Sequence, residues 1–377
     1  MRKSFYTLSL TKENFDLAKD PGMIPYYLHK LGYQSHFVSF IKPDTTNVYQ
    51  QLVEGVKLHY LGDQALPKLP QLMMCCRKAL SFIFKYRKDI DILNLYYLKH
   101  SIIYGLFYKI VHPKGILYVK LDMNVSAFER EARQTFHFIR RFVYWVYLHL
   151  IVDKVSVEST AGYKALQKQF HLSPTKILYL PNGIDDRHLD KVLPVDYSQK
   201  KNLIITVGRI GAYEKNTEML LEACKSVRWK DDWELHIIGP ISEGFKEKID
   251  VFYKETSLEE RVKFVGPIID KEALFGYYNI AKVFCLTSRF ESFGFVCIEA
   301  QAYGNILLST PISSIDDFIL DDSMGRKIET AEQLSSQLNH LMESPKDLEK
   351  PYSKIITHAQ QFRWSSVCDK LSKFLQL

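Results

Sequence analysis

Apolar runs of strand length alternate with helical segments along most of the chain, and the pattern breaks once and restarts at Leu203. In the first half the strand-like runs are 5–10, 35–40, 90–97, 115–122, 154–158 and 176–180. Helices are expected between them at about 22–31, 70–87, 101–111, 127–150 and 160–170. After the restart come runs at 203–210, 233–239, 262–265, 283–286 and 306–309, again with helices between. Continuous apolar runs joined through helices argue a parallel sheet covered on both faces, since the crossovers leave neither face to water. Because 377 residues exceed what one core usually holds, the repeat predicts an α/β chain with two doubly wound, Rossmann-like domains. The expected bounds are 1–190 and 191–350, joined through a polar stretch at 185–202. A segment at 351–377 carries apolar residues at helical spacing, among them Ile355, Phe362, Trp364, Leu371 and Phe374.

Ligands of such sheets bind beyond the carboxyl ends of the strands, and two motifs fall at that edge of the second sheet. In the first, Glu291 and Glu299 bracket Ser292-Phe293-Gly294-Phe295-Val296-Cys297-Ile298 directly after the run 283–286. A helix at 293–303 would place Glu291 in the loop before it and Glu299 on its second turn. At ~1.5 Å of rise per residue the carboxylates stand roughly 9–12 Å apart. That is too far for an acid/base pair on one bond, but suits gripping two ends of a nucleotide sugar. Gly294 at the helix start lets a phosphate approach the backbone amides. In the second motif the run from Leu203 ends in Gly208-Arg209, and Lys215 precedes a helical segment. Arg209 offers a planar fork and Lys215 a point charge, which together suit a diphosphate. A lone cation after a strand is commonly a solvated charge, and two acids on a helix are commonly a surface face. Their occurrence together in this order points to a ligand.

From about 178 to 325 the chain resembles the retaining glycosyltransferases of family 4. The resemblance rests on Leu180-Pro181-Asn182-Gly183-Ile184-Asp185, Val207-Gly208-Arg209 with Lys215, Ile237-Ile238-Gly239 and Val262-Lys263-Phe264-Val265-Gly266. It also rests on the E-x7-E segment running on to Ala302-Tyr303-Gly304. It implies the GT-B architecture, two Rossmann-like domains facing a cleft, in which the last helix commonly returns to the N-terminal domain. By it, Arg209 and Lys215 would bind the donor diphosphate, Glu291 the transferred sugar and Glu299 the ribose. Gly208, Gly239, Phe293, Gly294 and Phe295 would complete the donor site. The family usually has a glycine-rich loop after its first strand. This chain offers Asp20-Pro21-Gly22-Met23-Ile24-Pro25, leaving Gly22 as the one glycine for a diphosphate contact. Many relatives carry a histidine after a central strand, whereas here the strand ends Tyr118-Val119-Lys120-Leu121-Asp122-Met123-Asn124, offering Lys120, Asp122 and Asn124 but no histidine. Asp122 is the candidate for a sugar or acceptor contact, against a role in capping the following helix. His100 and Glu158 follow other strands and are weaker candidates.

The reading is a transferase that moves a hexose-type sugar from a UDP- or GDP-linked donor to a hydroxyl of a glycan, glycolipid or protein, with retention. No cofactor or metal is expected, because Arg209, Lys215 and helix amides take the charge and no Asp-x-Asp motif stands at the donor site. Alternatives are a sugar-nucleotide epimerase or a phosphorylase on a related scaffold, and a catalytically silent partner subunit. Retention of Arg209, Lys215, Glu291 and Glu299 speaks against silence.

Charge is shared unevenly. Residues 1–190 hold 26 Lys+Arg against 16 Asp+Glu, which is +10, and the remainder holds 24 against 27, which is −3. No nucleic-acid signature accompanies this excess, so nucleic acid is not an expected partner. An anionic membrane surface or a phosphorylated lipid acceptor fits better. The aromatic stretch 136–152 with Arg140 and Arg141 reads first as a buried sheet-covering helix, and second as a membrane-surface helix; its uncharged part, 142–152, is too short to span a bilayer. A second basic and aromatic helix carries Arg77, Lys78, Lys85, Arg87 and Lys88 among Leu80, Phe82, Ile83, Phe84 and Tyr86. The six cysteines lack metal-ligand spacing and read as free thiols of a reducing compartment. With no signal peptide read at Met1-Arg2-Lys3, the expected location is cytoplasmic, at most peripheral to the inner membrane face. The oligomeric state is left open.

Overall fold

A computed structural model describes residues 3–63, 69–123, 125, 128, 137–230 and 232–376. The chain divides into two units, one formed by Met1–Asn182 with Trp364–Leu377 and the other by Gly183–Arg363.

The first unit is built on a seven-stranded parallel sheet of order β3-β2-β1-β4-β5-β6-β7. Its strands are β1 (Ser4–Leu8), β2 (Gln34–Ser39), β3 (Lys57–Tyr60), β4 (Ile92–Tyr96), β5 (Ile116–Leu121), β6 (Lys154–Val157) and β7 (Ile177–Tyr179). Side chains alternate between its faces, as the strand period requires. Leu93, Leu117, Val119 and Val155 pack with Tyr104, Tyr108 and Leu148 on one side. Phe5, Ile92 and Tyr118 pack with Met23, Ile24, Trp364 and Leu371 on the other. The closing helix Trp364–Gln376 thus completes this unit, lying against helix Asp20–Lys30.

The second unit has a six-stranded parallel sheet of order β10-β9-β8-β11-β12-β13. The strands are β8 (Leu203–Val207), β9 (Glu234–Ile238), β10 (Val262–Gly266), β11 (Val283–Leu286), β12 (Ile306–Ser309) and β13 (Gly325–Lys327). Ile204 and Cys285 face a core with Leu220 and Leu338, while Ile205 and Phe284 face one with Tyr278, Tyr303 and Phe362. Both sheets are parallel and helix-covered, as the alternation predicts.

Four expectations change. The strands β3 and β13 were not anticipated, because Lys57-Leu58-His59-Tyr60 and Gly325-Arg326-Lys327 are not apolar runs. Each lies at the edge of its sheet, where one side is open and polar residues are tolerated. Gly22, the glycine expected for a diphosphate contact, falls at a helix start rather than in a loop. It sits in the first turn of helix Asp20–Lys30, where a Cβ would meet the Leu17 carbonyl oxygen at 2.2 Å, so close helix packing requires the glycine. The helix Leu69–Tyr86 turns Ala79 and Ile83 into the core, and Phe82 stacks among Tyr6, His59 and Tyr86. Part of its apolar side is therefore spent on the fold, while Phe84 stays exposed. The helix His137–Val146, read first as buried, instead exposes Phe138, Ile139 and Phe142. Among the described residues no helix is long and apolar enough to cross a membrane.

Candidate active site

The loops that follow β8, β9 and β11 build the site of the second unit. Gly208 donates its amide to the Ile238 carbonyl at 3.0 Å, and Gly239 donates to Gly266 at 2.9 Å. Gly239 has φ +143, and a Cβ there would stand 1.8 Å from the Gly208 carbonyl oxygen. Only glycine lets these loops close on each other. Gly239→Ala should therefore displace the loop after β8 and lower the unfolding temperature, which thermal melting reads directly.

Lys215 ends the 3-10 turn Tyr213–Lys215, just ahead of helix Thr217–Lys225. Its Nζ donates to Glu291 Oε1 at 2.5 Å, and Ser288 Oγ donates to the same oxygen at 2.8 Å. The loop carrying Glu291 is pinned by Thr287 Oγ1 to the Lys215 carbonyl at 3.1 Å and by the Arg289 amide to the Glu214 carbonyl at 2.8 Å. Lys215 and Glu291, 76 positions apart in sequence, are thus direct partners. Arg209 pairs with Glu214, but its side chain is 70% exposed, so the pair is a weak surface contact. A cavity of about 380 Å³ lies here, lined by Gly208, Arg209, Lys215, Gly239, Pro267 and Ile268 among others. Pro267 and Ile268 follow β10 and carry no charge, which is why sequence reasoning passed over them.

Glu299 sits on the second turn of helix Phe295–Ala302 and is buried. Oε1 accepts from Lys271 Nζ at 2.8 Å and Oε2 from the Tyr278 hydroxyl at 3.0 Å. The carboxylate beside it raises the Lys271 pKa, and burial followed by the Glu299 charge pushes Tyr278 well above its ordinary value. Each oxygen keeps a lone pair for a further donor. Lys271 was not anticipated, since one lysine before a helix carries no distinguishing signal. The helix starts two residues later than expected. Gly294 is its N-cap with φ +88, a left-handed turn that favours glycine. Phe293 is a core residue, its ring edge-on to Phe318 and Phe362. Phe295 is partly buried and packs on the same core.

In the first unit the carboxyl ends of β5 and β6 surround a buried cation. Lys120 is fully buried, donates to Asn182 Oδ1 at 2.9 Å and lies 3.5 Å from Asp20. Asn182 passes the contact on, donating to Glu158 Oε2 at 2.7 Å. Burial, then the Asp122 charge, holds Glu158 well above the usual carboxylate range, and burial raises Asp20 as well. Asp122 is partly exposed just past β5, and Asn124 lies outside the described residues. His100 is exposed, its ring edge-on to Tyr97. Lys120, which the sequence offered at this strand end, is joined here by Asn182, which it presented only as part of a family motif.

Residues 195–361, which lie within the second unit, match the family model described as glycosyl transferases group 1. Over 210 residues the chain is 30% identical to the amylovoran biosynthesis glycosyltransferase AmsD of Erwinia amylovora, covering 53% of this chain and 55% of that protein. It is 29% identical to the N-acetylgalactosamine-N,N'-diacetylbacillosaminyl-diphospho-undecaprenol 4-alpha-N-acetylgalactosaminyltransferase of Campylobacter jejuni, covering 59% of this chain and 60% of that one. The chain thus spans little more than half the length of these curated relatives. Among solved structures, the Anabaena protein HepE in complex with UDP superposes with a TM-score of 0.73 at 15% identity, covering 100% of both chains. At that identity the likeness shows the fold, two Rossmann-like parallel-sheet domains of GT-B type.

Proposed function

We propose that the protein is a retaining glycosyltransferase of family 4 type, moving a hexose-type sugar from a nucleotide diphosphate to an acceptor hydroxyl. The observation that carries this is the pairing of Lys215 with Glu291 beside Arg209 and Gly208, with Glu299 presented nearby on its own helix. Arg209 and Lys215 take the diphosphate, Glu291 the sugar hydroxyls and Glu299 the ribose diol. As the glycosidic bond lengthens, negative charge grows on the leaving phosphate oxygen, where Arg209 and Lys215 stabilise it without a metal ion. The acceptor attacks the face the diphosphate leaves, and a leaving-group oxygen receives its proton, so no protein nucleophile is required. Asp122 is assigned a sugar or acceptor contact. The UDP bound in HepE and the glycan roles in the relatives' names favour a uridine donor and an acceptor in surface-glycan or lipid-linked sugar synthesis.

The roles of the two carboxylates are separable. Glu299→Gln should weaken binding of free nucleoside diphosphate about tenfold, because an amide cannot accept from both ribose hydroxyls. Glu291→Gln should leave free nucleotide nearly unchanged and lower turnover of the intact donor. A panel of nucleotide sugars, followed by nucleotide release with and without acceptor, identifies the donor. If both variants lost free-nucleotide affinity equally, the division of roles would be wrong.

A further inference from the structure

The first unit carries a surface that its own fold leaves unused. Helix His137–Val146 continues as the π-helical turn Tyr147–Ile151, and its inner side is anchored by Tyr147 and Leu148 in the core. Its outer side exposes Phe138 at 68%, Phe142 at 62% and Leu150 at 70%, together with Ile139, Val143 and Trp145. Phe142, Trp145 and His149 form a row of stacked rings along it. The neighbouring helix Leu98–Val111 is held against it by the Tyr147 hydroxyl on the Ser101 carbonyl at 2.9 Å. It exposes Ile103, Leu106 and Ile110, spaced as one helical stripe. A monomer seldom leaves so many large apolar side chains open in one region.

Among the described residues the charge on these helices is basic. Neither helix contains an aspartate or a glutamate, and Lys99, Arg140 and Arg141 lie on them, while Lys109 is paired with Asp153 at 3.0 Å. Arg141 reaches the Gln169 carbonyl on helix Thr160–Phe170, which adds exposed Lys164 and Lys168. We propose that the helices 98–111 and 137–151 form a docking surface for an anionic lipid bilayer, lying in its interface rather than crossing it. Apolar and aromatic side chains enter the boundary of headgroups and acyl chains, with the surrounding cations on the phosphates. A soluble acidic protein would satisfy the cations but has no need of the stacked Phe142–Trp145–His149 row, whose amphipathic rings suit a bilayer interface. The inference is independent of the donor site.

Flotation with phosphatidylcholine vesicles, with and without phosphatidylglycerol, tests it on the whole protein. Binding is expected only with the anionic lipid and is expected to fall steeply with salt. Arg140→Gln with Arg141→Gln should reduce vesicle affinity on the order of tenfold. Phe142→Ser with Trp145→Ser should reduce it by at least as much. Lys246→Gln with Lys254→Gln, exposed cations of the second unit, should change nothing. Because all six side chains lie at the surface or near it, unchanged melting confirms that each variant is folded. Absence of binding at low salt, equal binding to neutral vesicles, or equal loss in the control variant would overturn the proposal. So would a concentration-dependent dimer, without lipid, that Phe142→Ser with Trp145→Ser dissolves, since the face would then pair two copies of the chain.

Discussion

Arg209→Ala and Lys215→Ala are each expected to bind UDP or GDP roughly tenfold to a hundredfold more weakly, the loss of one charge-assisted phosphate contact worth about 1.5–3 kcal/mol. Their effects on turnover should differ. Arg209 is exposed and its partner Glu214 can return to water, so its loss is confined to the phosphate. Lys215 also holds Glu291, whose side chain is only 17% exposed, so its loss frees the residue assigned to the sugar. Turnover of the Lys215 variant should therefore fall further than its nucleotide affinity. Calorimetric titration with nucleoside diphosphate, beside single-turnover kinetics on the donor, separates the two effects. Unchanged affinity in both folded variants would reject the diphosphate assignment.

The second large effect is expected from Lys120→Met, which should cost the first unit about 3–5 kcal/mol, since a buried pair loses its cation while the carboxylates stay behind. The loss should depend on pH in a definite direction. Burial raises Asp20 and Glu158, and the Lys120 charge opposes that rise in both. A carboxyl so raised contributes stability fully below its unfolded pKa and loses it as pH rises through the folded one. Without Lys120 the folded values climb further, so the deficit shrinks as pH falls from neutral towards the unfolded carboxyl range, about pH 4. Urea unfolding of wild type and variant at the two pH values measures it. A deficit that grew in acid would mean the carboxyls are not the residues left exposed to the loss.

What the sequence showed follows from how each contact is written in it. Central strands such as β4, β5 and β11 are buried on both faces, and their apolar runs announce them. The edge strands β3 and β13 carry no such mark. In the donor site, glycines and charges at strand ends were visible because their chemistry is local. The bond from Lys215 to Glu291, and that from Lys271 to Glu299, join residues brought together only by the sheet order. A phenylalanine beside a motif, such as Phe293, looks the same in sequence whether its ring faces a ligand or the core, where the structure places it. Helix 137–146 misled because periodicity reports that a helix has an apolar face, and says nothing of whether a sheet or a bilayer receives it.

The return of the helix Trp364–Gln376 to the first unit also sets an order of assembly. Trp364, Leu371 and Phe374 fill the core beside Phe5 and Tyr118, yet the ribosome delivers them only after all of Gly183–Arg363. The domain begun first in synthesis is finished last. The second unit can close while its predecessor still shows an unfilled groove along helix Asp20–Lys30. During translation that groove is the hydrophobic surface a chaperone would meet, and a stop codon just before Trp364 would leave the second unit folded and the first incomplete.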